Sequence, residues 1–236
     1  VEHSQPTSVA GDATSESSGE QESADVSYNN IGVALCGMLL LFAVYFVMTS
    51  RWAPRWAKNL SKGKILAIVF ALAFLFRVYT SIQQEGHITD MTCFKAWAVK
   101  LAEVGPGGFY DSGIFADYPP LYMYVLYLLG GIQQLFGIDY NSDLFKLIIE
   151  MPAILADLGL AWVVYRFAKK RLNPQTAAFL SLFILFSPLF ITTSSSWGQI
   201  DSIFLLGLIG VAYLVYRDKK VYAAWAWMAL LLLKPQ

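Results

Sequence analysis

The feature that most constrains this chain is a succession of long apolar runs. Residues 31–48, 65–82, 144–167, 176–192 and 203–216 carry almost nothing but apolar side chains, and 221–236 opens another such run. A helix rises 1.5 Å per residue, so about 20 residues cross a hydrocarbon core, and these runs are close to that length. Composition agrees: 56% of the chain is hydrophobic and 14% charged, against about 45–50% and about 25% in a soluble domain. The 17 basic and 17 acidic residues cancel, so no global basic field favours nucleic acid. Cys36 and Cys93 are too few and too far apart for a disulfide framework or a zinc site. A soluble enzyme, a disulfide scaffold and a DNA-binding module are thereby disfavoured, and the expected fold is an all-α polytopic integral membrane protein. The chain begins at Val1 and stops at Lys234-Pro235-Gln236, straight after an unfinished apolar run, so both ends are expected to be cut.

Charge orients the spans. Residues 1–30 hold six acids, no Lys or Arg and many Ser, a stretch expected to remain a disordered tail. It lacks the basic n-region of a signal peptide. Lys and Arg in short loops mark the cytoplasmic side. Arg51, Arg55, Lys58, Lys62 and Lys64 place residues 50–64 inside, and Trp52 and Trp56 suit the headgroup boundary there. The tail then lies outside, as do residues 80–120, with five acids against two lysines. Arg166, Lys169, Lys170 and Arg171 form one later basic cluster, and Arg217, Lys219 and Lys220 another; both should be inside. They fall inside only if the apolar run Leu121–Phe136 does not cross. Gly130-Gly131 and Gln133-Gln134 interrupt that run, so it is read as a juxtamembrane helix. The chain thus divides into a tail (1–30) and a transmembrane domain (31–236). An extracytoplasmic loop, 83–143, carries juxtamembrane helices at about 91–104 and 120–136, and the short polar segment 194–202 converges on the same side.

Three polar features stand out on that side. In the stretch from Gly86 to Trp97, Thr89 or Asp90 is placed to cap a helix whose stripe is Phe94, Trp97, Ala98 and Leu101. Asp90 is therefore either an N-cap or a general base held at the bilayer surface. Phe115-Ala116-Asp117-Tyr118-Pro119-Pro120 ends the following loop, and its prolines pre-set the next helix. Ser194-Ser195-Ser196-Trp197-Gly198-Gln199-Ile200-Asp201-Ser202 sits between two apolar runs; Asp201 is either a helix cap or a functional carboxylate. Within the runs lie Arg77, expected to snorkel outward, and Glu150 and Asp157, two helical turns apart and so on one face. Lys234 is expected to reach the outer side, where an anionic headgroup would meet it. His87 lies three residues before Asp90. No grouping of His, Cys and carboxylates has metal-ligand spacing.

On these residues the chain resembles the GT-C superfamily of membrane glycosyltransferases, which use polyprenyl-phosphate-linked donors. The order of features is similar to the dolichyl-phosphate-glucose-dependent glucosyltransferases of N-glycan assembly. An aspartate before an aromatic-rich helix is matched by Asp90 to Trp97, and an Asp-Tyr-Pro-Pro motif by Asp117–Pro120. A Leu-Ala-Asp element is matched around Leu155–Asp157. A Pro-Gly-Leu-like exit and a Gln-containing polar loop are matched by Ser187–Leu189 and Gly198–Ser202, and a Lys-Gln pair by Lys234-Pro235-Gln236. The resemblance covers about residues 65–236. The chain departs from it in two places. Asp90-Met91 lacks the second adjacent acid of protein O-mannosyltransferases, and 194–202 has one acid where the metal-dependent oligosaccharyltransferase has two.

The resemblance implies a GT-C-like helical bundle; the expected location is a multi-pass placement in a bacterial plasma membrane, with the active site on the extracytoplasmic face. Its activity would be transfer of a single hexose from a polyprenyl-phosphate-sugar to a glycan, lipid or protein acceptor outside the cytoplasm. Asp90 is the expected base. His87, Trp97, Asp117, Tyr118, Trp197, Gln199 and Asp201 are candidate substrate-binding residues, and Arg77 and Lys234 are candidates for holding the phosphate. No cofactor is expected; a divalent metal is left open but not favoured. Membrane lipids are expected partners and nucleic acid is not. The competing classes are a lipid-linked-sugar flippase or transporter, with polar residues near the midplane, and a non-catalytic assembly subunit.

Overall fold

A computed structural model of the protein describes residues 36–37, 39–40, 42–52 and 62–234. The acidic tail, the start of the first apolar run, Arg55, Trp56, Lys58, Pro235 and Gln236 lie outside the described residues. No strand occurs among the described residues. The helices are α1 (42–49), α2 (Lys62–Gln83), α3 (Ile88–Gly108), α4 (Pro120–Phe136), α5 (Asp143–Ala168), α6 (Pro174–Leu185), α7 (Pro188–Thr192), α8 (Asp201–Tyr216) and α9 (Lys220–Leu231). α2, α5 and the segment Pro174–Trp197 are long and apolar enough to cross a membrane, with 22, 26 and 24 residues. Their outward faces carry bare hydrophobics such as Leu75, Leu155 and Phe183. Lipid solvates such side chains where water would not. The protein is an all-α polytopic membrane protein.

Sequence punctuation sets the helix ends. Pro120 and Pro174 open α4 and α5's successor α6 at positions whose N–H needs no intrahelical partner. Ser142 and Asn173 cap α5 and α6 by accepting from Phe145 N–H and Thr176 N–H. The apolar run 176–192 is broken rather than continuous. Pro188 disfavours a helical Ser187, so α6 stops at Leu185 and α7 restarts at Pro188. Beyond α7 the chain does not loop out at once: Thr193–Trp197 form a single π-helical turn.

Two apolar cores form. One joins Ile65, Leu66, Val69 and Ala73 of α2 to Ala161 and Tyr165 of α5 and to Ala177, Ala178 and Leu182 of α6. The other lies under the large loop and joins Phe94, Trp97, Ala98 and Leu101 of α3 to Tyr122, Met123 and Leu126 of α4, with Phe145 and Ile149 of α5. α3 and α4 pair along their lengths. Gly130, which interrupts the apolar run in sequence, lies inside α4 where that helix approaches α3 closely. A Cβ there would overlap the Ala98 carbonyl. Small residues let helix backbones meet in this way.

Candidate functional site

Asp90 stands in the first turn of α3, where the exposed N–H ends of a helix favour a carboxylate. It is not the cap: His87 occupies the N-cap position, with no side-chain cap bond. The Asp90 carboxylate turns instead toward the polar segment after α7. Trp197 Nε1 donates to Asp90 Oδ2 at 2.5 Å and Gln199 Nε2 donates to the same oxygen at 2.6 Å. His87 Nδ1 lies 3.3 Å from that oxygen, and its ring leans on the Trp197 indole at 5.1 Å. Three nitrogens converging on one oxygen is a pattern suited to an acceptor-only carboxylate. Among the described residues no side chain donates to Oδ1, and the Asp90 side chain is 30% exposed.

The backbone of 193–200 makes this convergence possible. Gly198 is left-handed (φ 83°), and the amides of Gly198 and Gln199 both return to the Thr193 carbonyl. That tight return puts Trp197 and Gln199 side by side over Asp90. The left-handed conformation is what calls for glycine here; a Cβ at 198 would also come within 2.6 Å of the flexible end of Met91, which would have to turn aside.

Gln199 is the hinge of the cluster. Its Oε1 accepts from Tyr118 OH at 3.2 Å and from Lys234 Nζ at 3.1 Å while its Nε2 donates to Asp90. Two donors on one side and an acceptor on the other fix the amide orientation. Lys234 Nζ also donates to Asp201 Oδ1 at 2.6 Å. Asp201 is the first residue of α8 and not its cap, which is Ile200. Lys234 reaches the cluster because Leu121 N–H donates to the Leu232 carbonyl at 2.9 Å, which ties the end of α9 to the start of α4. The Tyr118 hydroxyl is pushed well above its usual pKa by burial first and then by the carboxylates of Asp201, Asp90 and Asp117. It therefore acts as a donor throughout the neutral range.

The structure thus gathers Asp90, His87, Tyr118, Trp197, Gln199, Asp201 and Lys234. It does not bring three other candidates to the same contacts. Trp97 is 2% exposed, donates to the Phe115 carbonyl at 2.7 Å and packs against Phe94 and Tyr118. It is a floor under Tyr118, with no ring face open to a sugar. Asp117 is exposed beside Tyr118. Arg77 does not snorkel. Its guanidinium is fully buried, pairs with Asp157 at 2.8 Å, and donates to Ser194 Oγ and the Leu185 carbonyl.

That inner pair has its own link to the site. Asp157 accepts from Ser194 at 2.6 Å and from Ser202. These two serines flank the segment that presents Trp197, Gln199 and Asp201, so one carboxylate from α5 clips both ends of it. A second buried group lies two turns away: Glu150 accepts from Ser81, and Lys146 donates to the Ser81 carbonyl 3.5 Å from Glu150 Oε1. Sequence reading missed Lys146, Ser81, Ser194 and Ser202 as members of these braces. The Lys146–Glu150 spacing of four residues was an available signal; the serines offered none. Among the described residues, no group of three or more His, Cys, Asp and Glu converges as metal ligands would.

The arrangement offers a carboxylate with one open oxygen, an exposed indole, and an ammonium beyond a bridging amide. Comparisons with known proteins fit this chemistry. No curated protein and no solved structure matches the chain. One family model does: dolichyl-phosphate-mannose-protein mannosyltransferase, over residues 117–234, half of the chain. The match takes in Asp117, Tyr118, Trp197, Gln199, Asp201 and Lys234, and begins after Asp90. It names mannosyltransferases where the sequence resemblance pointed to glucosyltransferases; both are membrane glycosyltransferases of the GT-C type. By that match the chain belongs to the dolichyl-phosphate-mannose-protein mannosyltransferase family.

Proposed function

We propose that the protein transfers a single hexose from a polyprenyl-phosphate-sugar to an acceptor on the extracytoplasmic side of the membrane. The observation that carries this reading is the joint placement of Asp90, Gln199 and Lys234, a carboxylate and an ammonium linked through one amide.

In this reading the acceptor hydroxyl oxygen attacks the anomeric carbon as its proton passes to Asp90 Oδ1. The bond from that carbon to the phosphate oxygen breaks, the phosphate leaves with the electron pair, and configuration inverts. Base assistance of this kind contributes roughly 10²–10⁴-fold. Lys234 receives the departing phosphate: its ammonium has three donors, of which Gln199 and Asp201 take two. A cation there stabilises charge that grows only as the bond breaks. Trp197, 43% exposed, offers a ring face to a sugar, and Asp201 an acceptor for its hydroxyls. His87 supports the Trp197 ring.

The test uses the protein in membranes with labelled polyprenyl-phosphate-mannose and polyprenyl-phosphate-glucose, comparing wild type with Asp90→Asn at matched expression. Loss of transfer by at least 100-fold in the variant is expected. Equal transfer by both would remove Asp90 as the base. No transfer from either donor, together with translocation of a lipid-linked sugar, would replace the enzyme by a flippase.

A further inference from the structure

At the end of the molecule away from the loop cluster, the C-terminal ends of α5 and α8 enclose a cleft of about 600 Å³. Its floor is apolar and aromatic: Phe167, Ile209, Ala212 and Tyr213. Its rim is basic: Lys170, Arg171 and Arg217. We propose that this cleft binds an anionic phospholipid of the cytoplasmic leaflet, with the headgroup phosphate held by Lys170, Arg171 and Arg217 and an acyl chain on the floor.

The first support is that the rim cations have no carboxylate partner among the described residues. The nearest acid along the chain, Asp218, is engaged with Lys220 at 3.2 Å. Lys170 Nζ instead lies 5.3 Å over the Phe167 ring, and the Arg217 guanidinium 5.9 Å from the Tyr213 ring. Phe167 and Tyr213 in turn meet edge-to-face at 5.7 Å. The two cations thus lie over one aromatic pair through contacts that are weak at exposed sites, and a phosphate can take their N–H groups without breaking an ion pair.

The second support is the floor. Phe167, Tyr213 and Tyr216 remain 43%, 39% and 79% exposed. A soluble anion would leave that surface wet, whereas an acyl chain covers it. The third is depth. Residues 158–165 of α5 and 203–216 of α8 are apolar, so the cleft just beyond them lies at the level of the headgroups, and basic pockets between helices on the cytoplasmic side suit anionic lipid. The proposal rests on the membrane placement of the fold and not on the transfer chemistry, so it stands or falls separately from Asp90.

The experiment places the protein in phosphatidylcholine nanodiscs containing photoactivatable phosphatidylglycerol and reads the yield of crosslinking to α5 and α8. Lys170→Gln/Arg217→Gln is expected to lower the yield, by up to about fivefold for each cation removed. Lys219→Gln/Lys220→Gln, which removes equal charge outside the cleft, should leave it within twofold. Ala212→Trp, which fills the floor and keeps every charge, should also abolish the label. An equal loss in both glutamine pairs would reduce the effect to a diffuse basic field and overturn the site. Full labelling of Ala212→Trp, or displacement of the label by inorganic phosphate alone, would overturn the acyl-chain assignment.

Discussion

Replacing Asp157 by alanine tests the inner clip most directly. Asp157 and Arg77 are both fully buried and 2.8 Å apart. The substitution leaves a guanidinium in the bundle with no counter-charge and removes the acceptor of Ser194 and Ser202. Removing one partner of a buried pair costs about 3–5 kcal/mol. Each hydrogen bond to a charged group is worth about 1.5–3 kcal/mol taken alone, but all of these share one carboxylate and do not add. The expected loss is therefore about 3–5 kcal/mol, on the order of 10 °C in melting temperature. The assay is thermal melting of the purified protein in detergent, alongside transfer activity well below the wild-type melting point. The double variant Arg77→Met/Asp157→Leu supplies the decisive comparison, because replacing both charges with apolar groups of similar volume is often neutral. The double variant should recover most of the stability and little of the activity, since Ser194 and Ser202 still lack their common acceptor. A double variant that melts as low as Asp157→Ala would refute the charge argument. A double variant with full activity would refute the claim that Asp157 positions the segment.

Gln199→Glu keeps an acceptor for Lys234 and Tyr118 but replaces the N–H aimed at Asp90 with a like charge. Transfer should fall on the order of 100-fold, the scale of an ångström of misplacement at a reacting group, with little change in melting; activity within threefold of wild type would sink the bridging role. Gly130→Ala and Gly131→Ala make a matched pair. The first puts a Cβ into the Ala98 carbonyl and should cost about 1–3 kcal/mol. The second meets open space and should gain up to about 1 kcal/mol of helix propensity. Melting curves that move the same way for both would refute the close approach of α3 and α4.

The fold class was legible because a bilayer imposes a length on apolar runs, and runs of this length leave few alternatives. The burial of Trp97 was legible too, because it lies on the apolar stripe Phe94–Trp97–Ala98–Leu101, which packs into the core. Other features depend on residues far apart in the chain. Asp90 meets Trp197 and Gln199 across 107 and 109 residues, and no local pattern shows that two such segments share a surface. The same long range explains why Asp90 and Asp201 look like caps in sequence. Each sits in the first turn of its helix, just inside the cap position, and its side chain is claimed by a distant donor. Arg77 reads as a snorkelling cation only while its partner on α5 is unknown.

The two inner braces explain why polar groups occur so deep in this bundle. Hydrophobic faces in lipid set no register, because a helix rotated or slid against its neighbour trades one apolar contact for another. Arg77 and Ser81 lie one turn apart on α2, and Glu150 and Asp157 two turns apart on α5. Arg77 meets Asp157 and Ser81 meets Glu150, so sliding one helix against the other breaks both contacts at once. An uncompensated buried charge costs far more than a lost methyl contact, which makes the slid arrangement the worse one. Asp157 then extends this fixed register to Ser194 and Ser202, and Glu150 packs near the backbone of Gly198. The eight residues 193–200 between α7 and α8 would otherwise be free to wander. With both ends clipped to α5 and its middle folded back on Thr193, it holds Trp197 and Gln199 at hydrogen-bond distance from Asp90. The cost of burying four charges is therefore repaid in the position of a surface cluster, which apolar packing alone could not fix.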